Sequence, residues 1–221
     1  MSIRKNDFAI DEYYHIYNRG NSKQKIFLTK EDYEHFIKML YLVNSSRSIV
    51  NRDITKNSYE FDREDTLIDI GIYCLMPNHF HLLVKEKTEN GISKFMQKLL
   101  TAYSMYFNKK YKRTGGLFEG KFKSEYVDNN QYLKYLFAYI HLNPVKIIEP
   151  KWKEINIKNT KKIMNFLDNY QYSSYLDYNY IIGEYRLKSK ILNKDKFPKY
   201  FTSEKEFTEE IFYWLKFNKN S

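Results

Sequence analysis

The chain is nearly free of cysteine: among its 221 residues only Cys74 occurs, inside an apolar run. No disulfide can form within the chain, which fits a reducing compartment. The opening segment MSIRKNDFAIDEYYHIYNRG has no apolar stretch of the kind that directs secretion. No stretch approaches the roughly 20 apolar residues needed to cross a bilayer. A soluble cytoplasmic protein with no membrane partner is expected. The sequence contains no P-loop, no GxGxxG and no Ser-His-Asp order, which argues against nucleotide hydrolysis, a nucleotide cofactor and acyl transfer. Acidic residues are in deficit, 27 Asp and Glu against 37 Lys and Arg. The resulting pI of about 9.3 points to an anionic partner, most commonly nucleic acid, although a solvated basic surface gives the same count.

Hydrophobic residues make up 43% of the chain and aromatics 18%, with 22 Tyr. That is enough for one compact domain with an extension. Residues 12–19 are rich in strand formers and end at Gly20. Residues 30–44 carry apolar side chains at helical spacing behind a possible N-cap, Thr29. The polar, aperiodic stretch 44–65 reads as a long loop. Two apolar runs, 66–76 and 79–86, are separated by Pro77-Asn78 and predict a hairpin. A strong amphipathic helix is expected over 92–112, ending at the RTGG turn. A strand or extended arm follows over 117–127. A further helix, capped by Asp128 or Asn129, ends at Pro144. The tail should hold one more helix, at 203–216. These elements predict an α+β sandwich with a central antiparallel sheet and two helices on one side. A boundary is placed near 150, separating a domain of residues 1–150 from a Lys- and Tyr-rich extension, 151–221.

The chain has five histidines, and His79 and His81 stand at i, i+2 in PNHFHLLVKE. On a strand this spacing puts both imidazoles on one face and turns Phe80 toward the core. Two imidazoles on one face can chelate a divalent metal, or can simply be polar-face residues. A catalytic metal needs a third ligand and an open position. Tyr139 and Asn143 lie roughly 40° apart on a helical wheel, so one helical face would offer a phenol beside an amide oxygen. The stripe Tyr132, Tyr135 and Tyr139 is equally readable as packing. His141 should point elsewhere, as a structural or surface residue. Lys109, Lys110, Lys112, Arg113, Lys121 and Lys123 are interleaved with aromatics around RTGG. This pattern suits a nucleic-acid backbone and unstacked bases, or a solvated basic face.

Four segments, YHIYNRGNSKQKIF (14–27), YCLMPNHFHLLVKE (73–86), GGLFEGKFKSEYV (115–127) and YLFAYIHLNPVK (135–146), occur in an order that resembles the single-tyrosine HUH transposases, and within these the REP-associated tyrosine transposases. YQYSSYLDY (170–178) also resembles a late segment of that group, while 44–65 departs from its shortest members and 183–221 matches nothing assignable. The resemblance implies a ferredoxin-like sandwich. It implies that His79 and His81 hold a divalent metal, Mg²⁺ or Mn²⁺, with Asn143 as third ligand and Tyr139 as nucleophile. It also implies that Arg19, in the NRGN segment, contacts DNA. Single-stranded DNA beside a hairpin would be nicked and rejoined through a 5′-phosphotyrosine, without ATP, by a monomer or homodimer acting on the bacterial nucleoid. Two other readings stand beside it: a hairpin-binding protein that does not cut, and a metal-dependent phosphoesterase that uses water.

Overall fold

The computed structural model describes residues 8–48, 58–154, 157, 159–179 and 186–216. Residues 49–57 of the expected loop, and 183–185 and 217–221 of the tail, lie outside these. Six elements form the body in the order β1 (Tyr13–Arg19), α1 (Lys30–Leu42), β2 (Ile68–Met76), β3 (His79–Glu86), α2 (Gly91–Lys110) and β4 (Lys123–Tyr126). The sheet order is β2-β3-β1-β4 with every neighbouring pair antiparallel. Each helix thus connects two strands that leave room for a third between them, which is the ferredoxin-like arrangement.

Alternation along the strands divides the sheet into two faces. Tyr14, Ile16, Phe80, Leu82 and Val84 join α1 and α2 in the main core with Phe36, Leu40, Phe95 and Leu99. Phe80 is fully buried there, as its place between two histidines predicts. The opposite face carries Ile72, Cys74, Met76 and Leu83, and is covered by α3 (Asn130–Leu142) through Leu133, Leu136, Phe137 and Ile140. Each such buried side chain contributes roughly 1.5–3 kcal/mol. The helix bearing Tyr139 is therefore anchored by packing, not by propensity alone.

Local chemistry sets the element ends. Thr29 occupies the N-cap of α1, and the Asp32 carboxylate accepts from the Leu28 and Thr29 amides at 2.8 and 3.0 Å. The Asn129 side chain caps α3 by accepting from the Tyr132 amide at 2.7 Å. Gly20 closes β1 where a Cβ would lie 2.2 Å from the Gln24 carbonyl oxygen, so only a missing side chain fits there. Of the expected arm 117–127, only Lys123–Tyr126 pairs as a strand.

Residues beyond 150 use a further face of α3. Ala138 and Leu142 meet Trp152, Ile163, Leu167 and Tyr175, together with Phe207, Ile211 and Leu215 of a terminal helix (Glu204–Lys216) that begins within a residue of the expected position. The segment around Ser173 also lines the outer edge of β2, with the Leu75 amide donating to the Tyr172 carbonyl and the Ser174 amide to the Tyr73 carbonyl, both at 2.9 Å. This covers an edge that would otherwise invite pairing with another chain.

His141 is fully buried and hydrogen-bonded to Ser174 Oγ at 2.8 Å, which makes it structural. Burial pushes its pKa down to about 3. The folded state therefore refuses a proton that the unfolded chain accepts near pH 6.5, so His141 favours folding above that pH and this advantage is lost as pH falls toward 3. Between pH 6.5 and 4.5 it should cost about 2 kcal/mol of stability. Urea unfolding of His141→Asn at the two pH values should show a pH dependence smaller by about that amount. An unchanged dependence would mean that His141 takes up its proton inside the fold.

Candidate active site

Strand register sets out the site in rows across the α3 face of the sheet. Arg19, His79 and Met76 form one row, Lys123, Tyr17, His81 and Cys74 the next, and Glu125, His15, Leu83 and Ile72 the third. The two histidines read from the sequence thus share a face, with ring centroids 5.0 Å apart. Tyr139 comes down onto this face from α3, half-buried, with its ring 5.9 Å from His81 and 6.2 Å from His15. One helical turn later, Asn143 is fully buried at the end of α3.

The donor atoms are arranged asymmetrically. His79 Nδ1 donates to the Asn78 side-chain oxygen at 2.7 Å, and His81 Nδ1 shares a 2.9 Å hydrogen bond with His15 Nε2. Each histidine thus has one ring nitrogen engaged and the other, Nε2, left for a ligand. Burial, more than the nearby cations Lys146 and Arg19, depresses the pKa of His79 to about 4, so its imidazole is neutral at pH 7. Burial likewise holds His81 well below the ordinary histidine value, ahead of its neighbours His15 and His79.

Asn143 Nδ2 donates to the Tyr139 carbonyl at 2.9 Å, and its buried Oδ1 has no hydrogen-bond partner. A buried carbonyl oxygen without a partner is costly in a folded protein. Among the described residues, no three His, Cys, Asp or Glu side chains converge as a metal set. As a third ligand beside two imidazoles, an amide oxygen would suit a hard divalent cation. The donor types present, two imidazoles and an unpartnered amide oxygen, suit Mg²⁺ or Mn²⁺.

Tyr139 is held as a neutral phenol. Burial raises its pKa, against a smaller opposing effect from the Asn143 amide. Its ring stacks on Tyr135 at 5.6 Å, and Lys153 Nζ lies 4.1 Å from its centroid. The stripe of tyrosines is therefore packing and site at once, since Tyr139 belongs to both.

The expected basic residues are distributed unevenly. Arg19 and Lys123 stand in the histidine rows. Arg19 is forked onto Glu119, with Nη2 to Oε1 at 3.0 Å. Lys110 does not stand free: it is paired at 2.6 Å with buried Asp32, which also accepts from Tyr106 and Tyr111. Arg113 lies over the Phe107 ring at 5.6 Å. Lys109, Lys112 and Lys121 are exposed, the first two at the end of α2 and the third just before β4.

Three groups escaped the sequence reading. Lys146 and Lys153 lie close enough to lower the pKa of His81, and His15 touches it directly. Alternation does put His15 on the same strand face as Tyr17, but only cross-strand register shows that this face meets His81.

The family model described as transposase IS200 like matches residues 10–143, well over half of the chain. No protein with a curated description matches significantly. Among solved structures, a REP-associated tyrosine transposase bound to a REP hairpin aligns at 14% identity over 85% of this chain and 90% of its own, with a TM-score of 0.49. A tRNA(His) guanylyltransferase from Saccharomyces cerevisiae aligns at 11% identity over 99% of this chain and 84% of its own, with a TM-score of 0.38. At such scores neither likeness bears on function. The family match spans the whole sheet, both histidines, Tyr139 and Asn143, and the chain belongs to the IS200-like transposase family, a family of DNA-transposing enzymes.

Proposed function

We propose that this protein is a REP-associated tyrosine transposase that nicks and rejoins single-stranded DNA beside a hairpin, with Tyr139 as nucleophile and Mg²⁺ or Mn²⁺ held by His79, His81 and Asn143. The observation that carries this reading is the meeting, within one chain, of the Tyr139 ring with His81 and of Asn143's unpartnered Oδ1 with the same end of α3. A bound divalent ion would polarise the scissile phosphate and offset charge growing on its non-bridging oxygens.

The protein's own groups account for the remaining steps. α3 presents the Tyr139 hydroxyl, which gives up its proton and attacks phosphorus in line. The bond to the 3′ oxygen breaks, and that oxygen leaves as a 3′-OH after gaining a proton. The DNA 5′ end is then esterified to Tyr139. Attack by a 3′-OH on this ester restores a phosphodiester and the free phenol. One phosphoester is exchanged for another in each direction, so no ATP is required. Lys146, Lys153 and Arg19 give the site a positive potential suited to a phosphate. The catalytic unit is a monomer or homodimer, acting in the cytoplasm on the nucleoid.

The test is incubation with hairpin-bearing single-stranded DNA and Mn²⁺, followed by denaturing electrophoresis. The expected result is a protein–DNA adduct together with a fragment ending in 3′-OH. Cleavage without an adduct would replace this reading with attack by water. Tight binding without cleavage would leave a hairpin-binding protein.

A further inference from the structure

A buried imidazole at the centre of a sheet calls for a physical reason, since burying a polar group without partners costs several kcal/mol. His15 is only 4% exposed, yet it lies on the face covered by α3, among apolar side chains. It is hydrogen-bonded to His81 and stands beside the Glu125 carboxylate. Nε2 meets His81 Nδ1 at 2.9 Å with the rings stacked at 5.1 Å, and Nδ1 stands 3.6 Å from Glu125 Oε2. Glu125 is itself fixed from two sides, by Tyr17 Oη at 2.8 Å and Tyr132 Oη at 3.1 Å.

We propose that His15 and Glu125 are positioning residues that set the tautomer and ring orientation of His81, so that its Nε2 faces the metal position. The reasoning is one of donors and acceptors. An ionised carboxylate only accepts hydrogen bonds. His15 Nδ1 makes no hydrogen bond, but the Glu125 carboxylate 3.6 Å away favours a proton on that nitrogen, and a neutral His15 protonated there leaves Nε2 as an acceptor. His81 Nδ1 must then donate, and the lone pair of His81 is confined to Nε2. Two aromatic hydroxyls and His15 keep Glu125 in the ionised form that this requires. His15, first among these, draws its pKa down to about 2. Partners of this kind behind a ligating histidine typically change metal affinity 10–100-fold when removed.

This inference rests on the reading of His81 as a metal ligand, and the test separates the two. Long-range ¹H–¹⁵N NMR of the metal-free protein reads the His81 tautomer, and calorimetry reads Mn²⁺ affinity. In the parent protein His81 should be the Nδ1–H tautomer. Glu125→Gln, at an exposed side chain that should not perturb folding, should give a mixture of tautomers and about 10-fold weaker Mn²⁺ binding. His15→Leu should give a larger loss of affinity, up to about 100-fold. An unchanged His81 tautomer and unchanged Mn²⁺ affinity in Glu125→Gln would overturn the relay. If the parent protein shows the Nδ1–H tautomer and Glu125→Gln scrambles it, but Mn²⁺ does not bind, the relay holds and the metal reading fails.

Discussion

Tyr139→Phe should abolish the covalent protein–DNA adduct and lower strand cleavage by on the order of 10⁴-fold or more, the scale seen when a sole nucleophile is deleted. Among the described residues Tyr17 also brings its ring to 5.8 Å from His81, but its hydroxyl is committed to Glu125 at 2.8 Å. Tyr135 and Tyr132 follow the same helical stripe, but Tyr132 Oη is bound to Glu125, and the Tyr135 ring packs against Trp214 at 4.8 Å. Apart from the loss of the Asn143 amide's interaction with the phenol, the effect should be chemical. A phenylalanine keeps the stacking on Tyr135 and the contact with Lys153. The Asn143 side chain is anchored on the Tyr139 backbone carbonyl, which the substitution leaves in place. Stability should therefore change by less than about 1 kcal/mol. Gel detection of the adduct with thermal unfolding alongside checks both parts. Residual cleavage near the parent rate would move the reaction to water.

His79→Ala should come second, with cleavage reduced roughly 10³-fold. Lewis-acid stabilisation is worth several kcal/mol, and each 1.4 kcal/mol is a factor of ten. His79 is the better ligand to remove because it is half-buried, whereas His81 lies between His15, His79 and Tyr139. Truncating His81 would also leave His15 Nε2 without a partner and confound metal loss with instability. Chelation by EDTA should reduce the parent protein to the level of His79→Ala, and should have little further effect on that variant. Two independent losses that multiplied would show that His79 acts by some route other than the metal.

His79 and His81 could be placed on one face from the sequence because strand periodicity is local and needs only consecutive residues. The same holds for Tyr139 and Asn143, which a helix brings together at a spacing of four. The turn at Pro77-Asn78, the cap at Asn129 and the helix ending at Leu142 are likewise local, and each appears where short-range chemistry puts it. Lys110 marks the limit of that reasoning. In the sequence it is one more cation in a basic run, while in the fold it neutralises Asp32, 78 positions earlier in the chain.

The amino-acid sequence by itself determined the main elements of residues 1–150, the α+β class, the paired imidazoles and the phenol–amide spacing, because these follow from periods of two and four along a single stretch of chain, whereas the helix Thr160–Asn169 was not read from it. Only the tertiary structure decided which nitrogen of His81 stays open, since His15 reaches it across 66 positions through strand register. Packing of the segment beyond 150 against α3 likewise decided that Lys153 would sit over the Tyr139 ring. Contacts between distant segments depend on how layers dock, and no pattern within a short window of residues encodes that.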